Sequence, residues 1–74
     1  MTDQEAKQEL KALFQKHGAE LRRFAWYRSG NEEAANDLVQ EAFVKLWEKR
    51  ETIDWPRAGG LLFTMVSNLA ANYH

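Results

Sequence analysis

Hydrophobic residues recur every three or four positions along three separate stretches of this chain, and that period confines each stretch to a helix with one buried face. In the first stretch Leu10, Leu13, Phe14, Leu21, Phe24 and Ala25 share a face with His17, which predicts a helix from about Asp3 to Arg28. Thr2 is placed to cap it, and Asp3 and Glu5 suit its positive end. Gly18 is its weak point, because glycine costs up to about 1 kcal/mol relative to alanine inside a helix, and a kink or break would fall there. Ser29-Gly30-Asn31 ends the stretch, with Gly30 suited to a left-handed C-terminal position. The second helix is capped by Asn31, has Glu32 and Glu33 in its first turn, and buries Ala35, Leu38, Val39, Ala42, Phe43 and Leu46. It should fade near Arg50, where Lys49 and Arg50 complement its negative end. Glu51 to Gly60 reads as a loop, since Pro56 has no N–H to donate and disfavours helical geometry at Trp55. The last helix is expected from Arg57 or Leu61 to the end, burying Leu62, Met65, Val66, Leu69 and Tyr73, with Gly59-Gly60 within reach of its first turn.

Three amphipathic helices joined by short connections can enclose one core, so the expected architecture is all-α, a three-helix bundle forming a single domain over residues 1–74. A chain of 74 residues buries a smaller fraction of its surface than a larger domain, and without cysteine it has neither a disulfide nor a thiolate metal site to staple it. Apolar packing alone must hold the helices together. A hydrophobic share of 45% beside 28% charged residues suits a folded domain, not a disordered tail. Met1 to Glu9 is polar where a signal peptide would be apolar, and no run approaches membrane-spanning length, so a soluble, cytoplasmic protein without a membrane partner is expected.

The residues of catalysis are scattered. His17 and His74 are far apart with no second ligand at helical spacing from either, which leaves His17 as a packed histidine within an apolar stripe. Ser29 and Ser67 have no neighbouring base, no Gly-rich phosphate loop follows a strand, and the carboxylates occupy outward helix positions. The chain therefore reads as a binding module, not an enzyme, with no cofactor or metal.

Its net charge of −1 conceals an asymmetry. Six basic and four acidic residues give +2 over residues 1–30, four basic and seven acidic give −3 over 31–57, and 58–74 carry no formal charge. Two faces stand out against that background. On the second helix Asp37, Gln40, Glu41, Val44, Trp47 and Glu48 project together, a mixture of acid, amide and apolar groups that suits a basic partner helix and equally fits a solvated face with Trp47 turned inward. On the third, Thr64, Ser67, Asn68 and Asn72 beside Phe63 offer hydrogen-bonding groups and an aromatic that can read or stack on bases, or form a plain polar surface. Phosphate contacts would come from Arg57, Lys45, Lys49 and Arg50.

The run Asp37-Leu38-Val39-Gln40-Glu41-Ala42-Phe43-Val44-Lys45-Leu46-Trp47 resembles the signature of region 2 in sigma-70 family factors, particularly the extracytoplasmic-function group. After the loop, Leu61-Leu62-Phe63-Thr64-Met65-Val66-Ser67-Asn68-Leu69-Ala70 is similar to that group's promoter-reading helix, and the first helix to its opening segment, so the resemblance covers nearly the whole chain. It implies two contacts. The second helix would dock on the coiled coil of the largest subunit of core RNA polymerase through Asp37, Gln40, Glu41 and Trp47. The third helix would hold the melted nontemplate strand of promoter DNA through Phe63, Thr64, Ser67, Asn68 and Asn72, with Arg57 near the backbone and the loop from Ile53 to Gly60 shaping a pocket for a flipped base. An anti-sigma factor covering these surfaces is a further implied partner.

The chain departs from the family in having Leu61 where an aromatic is usual and no basic residue in the third helix. It would represent one domain of a longer two-domain factor. The alternative reading is a helical interaction module that binds a partner helix and never touches nucleic acid, which the uncharged third helix keeps open.

Overall fold

The computed structural model describes residues 1–73 and contains three α-helices: α1 (Asp3–Ser29), α2 (Glu32–Glu48) and α3 (Ala58–Ala71), with a 3-10 turn over Trp55–Arg57 leading into α3. His74, which has no second metal ligand at helical spacing, lies outside the described residues. The start of α1 is fixed by a reciprocal capping box: the Thr2 N–H donates to Glu5 Oε1 at 2.9 Å, and the Glu5 N–H donates to Thr2 Oγ1 at 3.2 Å. At its end Gly30 takes a φ of 71°, which lets its N–H donate back to the Trp26 carbonyl at 2.7 Å. Asn31 then opens α2 by accepting from the Ala34 N–H at 3.0 Å.

Gly18 does not break α1. It is buried, and a methyl group placed there would meet the Phe14 ring at 3.7 Å, an ordinary contact. Packing of Leu21 and Ala25 against the other helices outweighs the propensity cost of one glycine. With 27 residues, α1 runs the full length of a molecule measuring 37 × 21 × 17 Å.

The loop is shorter than the sequence suggested. Turns over residues 49–52 leave only Ile53 and Asp54 without regular structure, Pro56 lies in the 3-10 turn, where its missing N–H costs nothing, and α3 begins at Ala58 with Gly59 and Gly60 in its first turn. At the other end α3 stops at Ala71, where Asn72 Nδ2 donates to the Asn68 carbonyl at 3.1 Å. Tyr73, expected on the buried face, therefore lies beyond the last turn and is exposed.

All three helices pack on one another around Leu21, Leu46, Leu62 and Val66, which are wholly enclosed. Burying each such side chain contributes about 1.5 to 3 kcal/mol, so these residues carry much of the folding energy. Ala25, Ala35, Ala42, Ala58 and Ala70 fill the spaces between them and let the helices approach closely. A polar clasp closes one end: Arg50, just past α2, donates through Nε to Asp3 Oδ1 at 2.9 Å and lies over the Trp47 ring at 4.2 Å. Another tie joins α1 to α3, where Arg28 Nη1 donates to Ser67 Oγ at 3.1 Å. Among the described residues no polar or charged residue is buried.

Candidate functional site

With Leu38, Val39, Ala42 and Leu46 turned into the core, helical geometry sends Asp37, Gln40, Glu41, Val44 and Glu48 outward together, and all five are exposed. Val44 is 58% exposed in the middle of this ridge, and Glu33 extends it by one turn. None of these polar side chains makes a hydrogen bond or ion pair among the described residues, so their oxygens and amide are available to a partner. The ridge combines an apolar centre with an acidic surround, which suits a helix that presents both aliphatic and basic groups.

Trp47 stands at the margin of the ridge and is half-buried. Arg50 covers one face of its indole and also donates through Nη1 to the Trp47 carbonyl at 3.0 Å. The structure thus brings Asp37, Gln40 and Glu41 together and leaves Trp47 beside them, held by a residue that binds Asp3 across the bundle.

The uncharged helix α3 divides its polar residues between two edges. Thr64 lies on the outer surface, where its hydroxyl donates to the Gly60 carbonyl at 3.2 Å. Asn68 and Asn72 border an open groove of about 520 Å³ shared with Lys45, Glu48 and Lys49 of the α2 end, which places two lysines and one acid on the same groove as the two amides. Phe63 and Ser67 occupy the opposite edge, towards α1: Phe63 meets Phe24 edge-on at 5.7 Å and His17 at 6.2 Å, while Ser67 accepts from Arg28. Arg57 is exposed and 3.5 Å from Asp54, a weak surface pair.

The segment before α3 does shape a cleft. An open space of about 530 Å³ lies between α1 and the 3-10 turn, with Lys16, His17, Trp55, Gly59, Gly60 and Phe63 on its walls. His17 is half-buried there, packed between Phe63 and Gly59, in keeping with the packed histidine expected from its place in the stripe. Sequence reasoning did not single out the α1 side of these surfaces. Its signal was the run Arg22-Arg23-Phe24-Ala25-Trp26-Tyr27-Arg28, basic residues interleaved with aromatics, which ends beside Ser67.

Among the described residues no group of three His, Asp or Glu side chains is placed to hold a metal ion, and no helix is long and apolar enough to cross a membrane. Glu5 lies away from both faces: hydrogen bonds from the Thr2 backbone and then its side chain hold the Glu5 carboxyl below its ordinary value of 4.5.

The described residues thus form a short helical bundle with an unengaged acidic ridge on one helix and an uncharged polar surface on another. Sequence comparison assigns its family. The family model described as Sigma-70 region 2 matches residues 13–74, and the chain belongs to the sigma-70 family, as its region 2. It is 37% identical over 62 residues to proteins named ECF RNA polymerase sigma factor SigL from three strains of Mycobacterium tuberculosis, Erdman, CDC 1551 and H37Rv. The match covers 81% of this chain and 35% of those proteins, so the chain spans about a third of the length of the curated relatives it matches. No solved structure gives a significant match.

Proposed function

We propose that this chain is the polymerase-docking and promoter-opening domain of an extracytoplasmic-function sigma factor, acting in the cytoplasm by binding and not by catalysis. The ridge of Asp37, Gln40 and Glu41 around Val44 docks on the coiled coil of the largest subunit of core RNA polymerase, with Trp47 at its margin. The outer surface of α3 then meets the melted nontemplate strand of the promoter: Asn68 and Thr64 at the bases, Asn72 beside them, and Lys45, Lys49 and Arg57 towards the phosphates. Phe63 and Ser67 join this surface from the α1 edge, and the cleft beside the 3-10 turn accepts a base swung out of the stack. Holding an unpaired base offsets part of the cost of opening the duplex, so recognition and melting become one step. An anti-sigma factor would act by covering the ridge or the strand-binding surface.

The observation that carries this reading is the exposure of Asp37, Gln40 and Glu41 on one face with their polar groups unengaged, in a chain of the sigma-70 family. The test is capture of core RNA polymerase by the immobilised chain. The double substitution Gln40→Ala, Glu41→Ala should weaken capture about tenfold or more, the effect of removing interface anchors, with an unchanged melting curve. Undiminished capture would overturn the docking assignment.

A second reading, a helical interaction module that never touches nucleic acid, is favoured by one observation: α3 carries no charge. A chain that captures no core polymerase and no single-stranded DNA at low salt would decide for it.

A further inference from the structure

Just past the end of α2, the guanidinium of Arg50 is engaged in three ways at once. Its Nε donates to Asp3 Oδ1 at 2.9 Å, its Nη1 donates to the Trp47 carbonyl at 3.0 Å, and its carbon lies 4.2 Å from the centroid of the Trp47 ring. The Trp47 carbonyl belongs to the last turn of α2, where carbonyls lack intrahelical partners, and it also accepts from the Arg50 N–H at 3.1 Å. The far anchor is fixed as well, because Asp3 opens α1 inside the capping box that Thr2 and Glu5 close. A chain of contacts therefore runs from the start of α1 through Asp3 and Arg50 to the indole at the margin of the acidic ridge. As a staple between helices it is weak, since the Asp3 side chain is 64% exposed and surface ion pairs contribute little to stability. Its larger effect falls on Trp47, which is held from one face and from its own backbone.

We propose that Asp3 and Arg50 are positioning residues for docking, holding Trp47 at the edge of the ridge in the pose in which it meets the partner helix. The inference rests on the polymerase-docking reading of the ridge and gives a role in it to two residues that lie off the ridge. A half-buried indole with one face covered has little freedom left to lose on binding. Ordering a loose side chain at an interface weakens affinity about two- to tenfold, and the clasp removes that loss beforehand. Arg50 also decides what the indole can take. With a guanidinium over one face, that face is closed to a basic side chain of the partner. Basic groups are directed to Asp37 and Glu41, and Trp47 offers its apolar area to an aliphatic one.

The test combines capture of core RNA polymerase by the whole chain with time-resolved fluorescence anisotropy of Trp47, the latter read in a chain carrying Trp26→Phe and Trp55→Phe. Arg50→Ala and Asp3→Ala should each weaken capture about two- to tenfold and add a fast component to the Trp47 decay, at a temperature where the melting curves show every variant folded. Asp3 acts through Arg50, so Asp3→Ala added to Arg50→Ala should weaken capture no further. Asp3→Asn keeps an acceptor for Nε but not the charge, and should fall between Asp3→Ala and the parent. A mere staple between α1 and α2 predicts lower melting temperatures with the anisotropy and capture of the parent, and that result would sink the proposal. If Gln40→Ala, Glu41→Ala loses capture and Arg50→Ala does not weaken it, positioning is overturned while the docking ridge stands. A parent chain that captures no polymerase overturns both.

Discussion

The backbone of Gly59, in the first turn of α3, rests against the imidazole of His17 in α1, so closely that a methyl group at Gly59 would stand 2.8 Å from Nε2. Gly60, the next residue, has nothing within 4 Å of the same position. Two glycines adjacent in sequence thus play different parts: one sets the approach of α3 to α1 beside the cleft of the 3-10 turn, and the other faces open space.

Substitution should separate them. Gly60→Ala is expected to gain up to about 1 kcal/mol from helix propensity. Gly59→Ala has the same intrinsic gain but must push His17 away, forfeiting an aromatic contact with Phe63 worth about 0.5 to 1.5 kcal/mol and adding rotamer strain of similar size. The Gly59 variant should therefore be about 1 to 3 kcal/mol less stable than the Gly60 variant in urea denaturation. Adding His17→Ala to Gly59→Ala removes the clash, so the double-mutant cycle should show positive coupling. Identical unfolding midpoints for the two glycine variants would rule this packing out.

Gly18 calls for the opposite outcome. A methyl group there lies at ordinary distance from the Phe14 ring, and α1 runs through the position without distortion of its register. Gly18→Ala should stabilise the domain by about 0.5 to 1 kcal/mol, seen as a rise in Tm of about 2 to 8 °C for a domain of this size. A fall in Tm would mean that the helix bends at Gly18 in solution.

The second helix was legible almost completely, because Asn31, the acidic first turn and the regular stripe from Ala35 to Leu46 all specify the same element. The outward position of Asp37, Gln40 and Glu41 follows from that stripe. Periodicity sorts residues only into inward and outward, however, and a helix of a bundle has two flanks as well. Periodicity accordingly groups Phe63 and Ser67 with Asn68 and Asn72, although the first pair faces α1 and the second borders the α2 end. Tyr73 was in phase with Leu62 and Leu69, but phase does not tell where a helix stops. Ala6, Ala34, Ala58 and Ala70 gave no signal, since alanine suits either face. The clasp of Asp3, Trp47 and Arg50 joins residues from opposite ends of the first two helices, a pairing that only the packing of the bundle creates.

The start of α1 should respond to acid. Hydrogen bonds from Thr2 lower the folded pKa of Glu5 below its ordinary value of 4.5. A depressed carboxyl contributes stability that is fully present above the ordinary value and is lost as the pH falls through the folded one. Amide exchange at Glu5 and Ala6 should therefore be slowest relative to the intrinsic rate above pH 4.5 and lose protection below it. Glu5→Gln keeps a side chain able to complete the capping box but removes the titration, so its protection should not vary across that range. The same acid-induced loss in the Gln variant would assign it to another group.

Asn68 offers the cleanest separation of contact from architecture on α3. Ser67 holds Arg28 and Asn72 closes the last turn, so replacing either with alanine removes a hydrogen bond worth about 0.5 to 1.5 kcal/mol along with any contact to DNA. The Asn68 side chain is exposed and makes no hydrogen bond among the described residues; only its carbonyl is used. Asn68→Ala should leave stability within about 0.5 kcal/mol of the parent while weakening affinity for single-stranded promoter DNA, and core polymerase capture should be untouched because Asp37, Gln40 and Glu41 lie on another helix. Ser67→Ala and Asn72→Ala should lower both stability and DNA affinity. If Asn68→Ala destabilises the domain as much as they do, its role is in holding the helix; if it lowers neither stability nor DNA affinity, α3 meets the strand elsewhere.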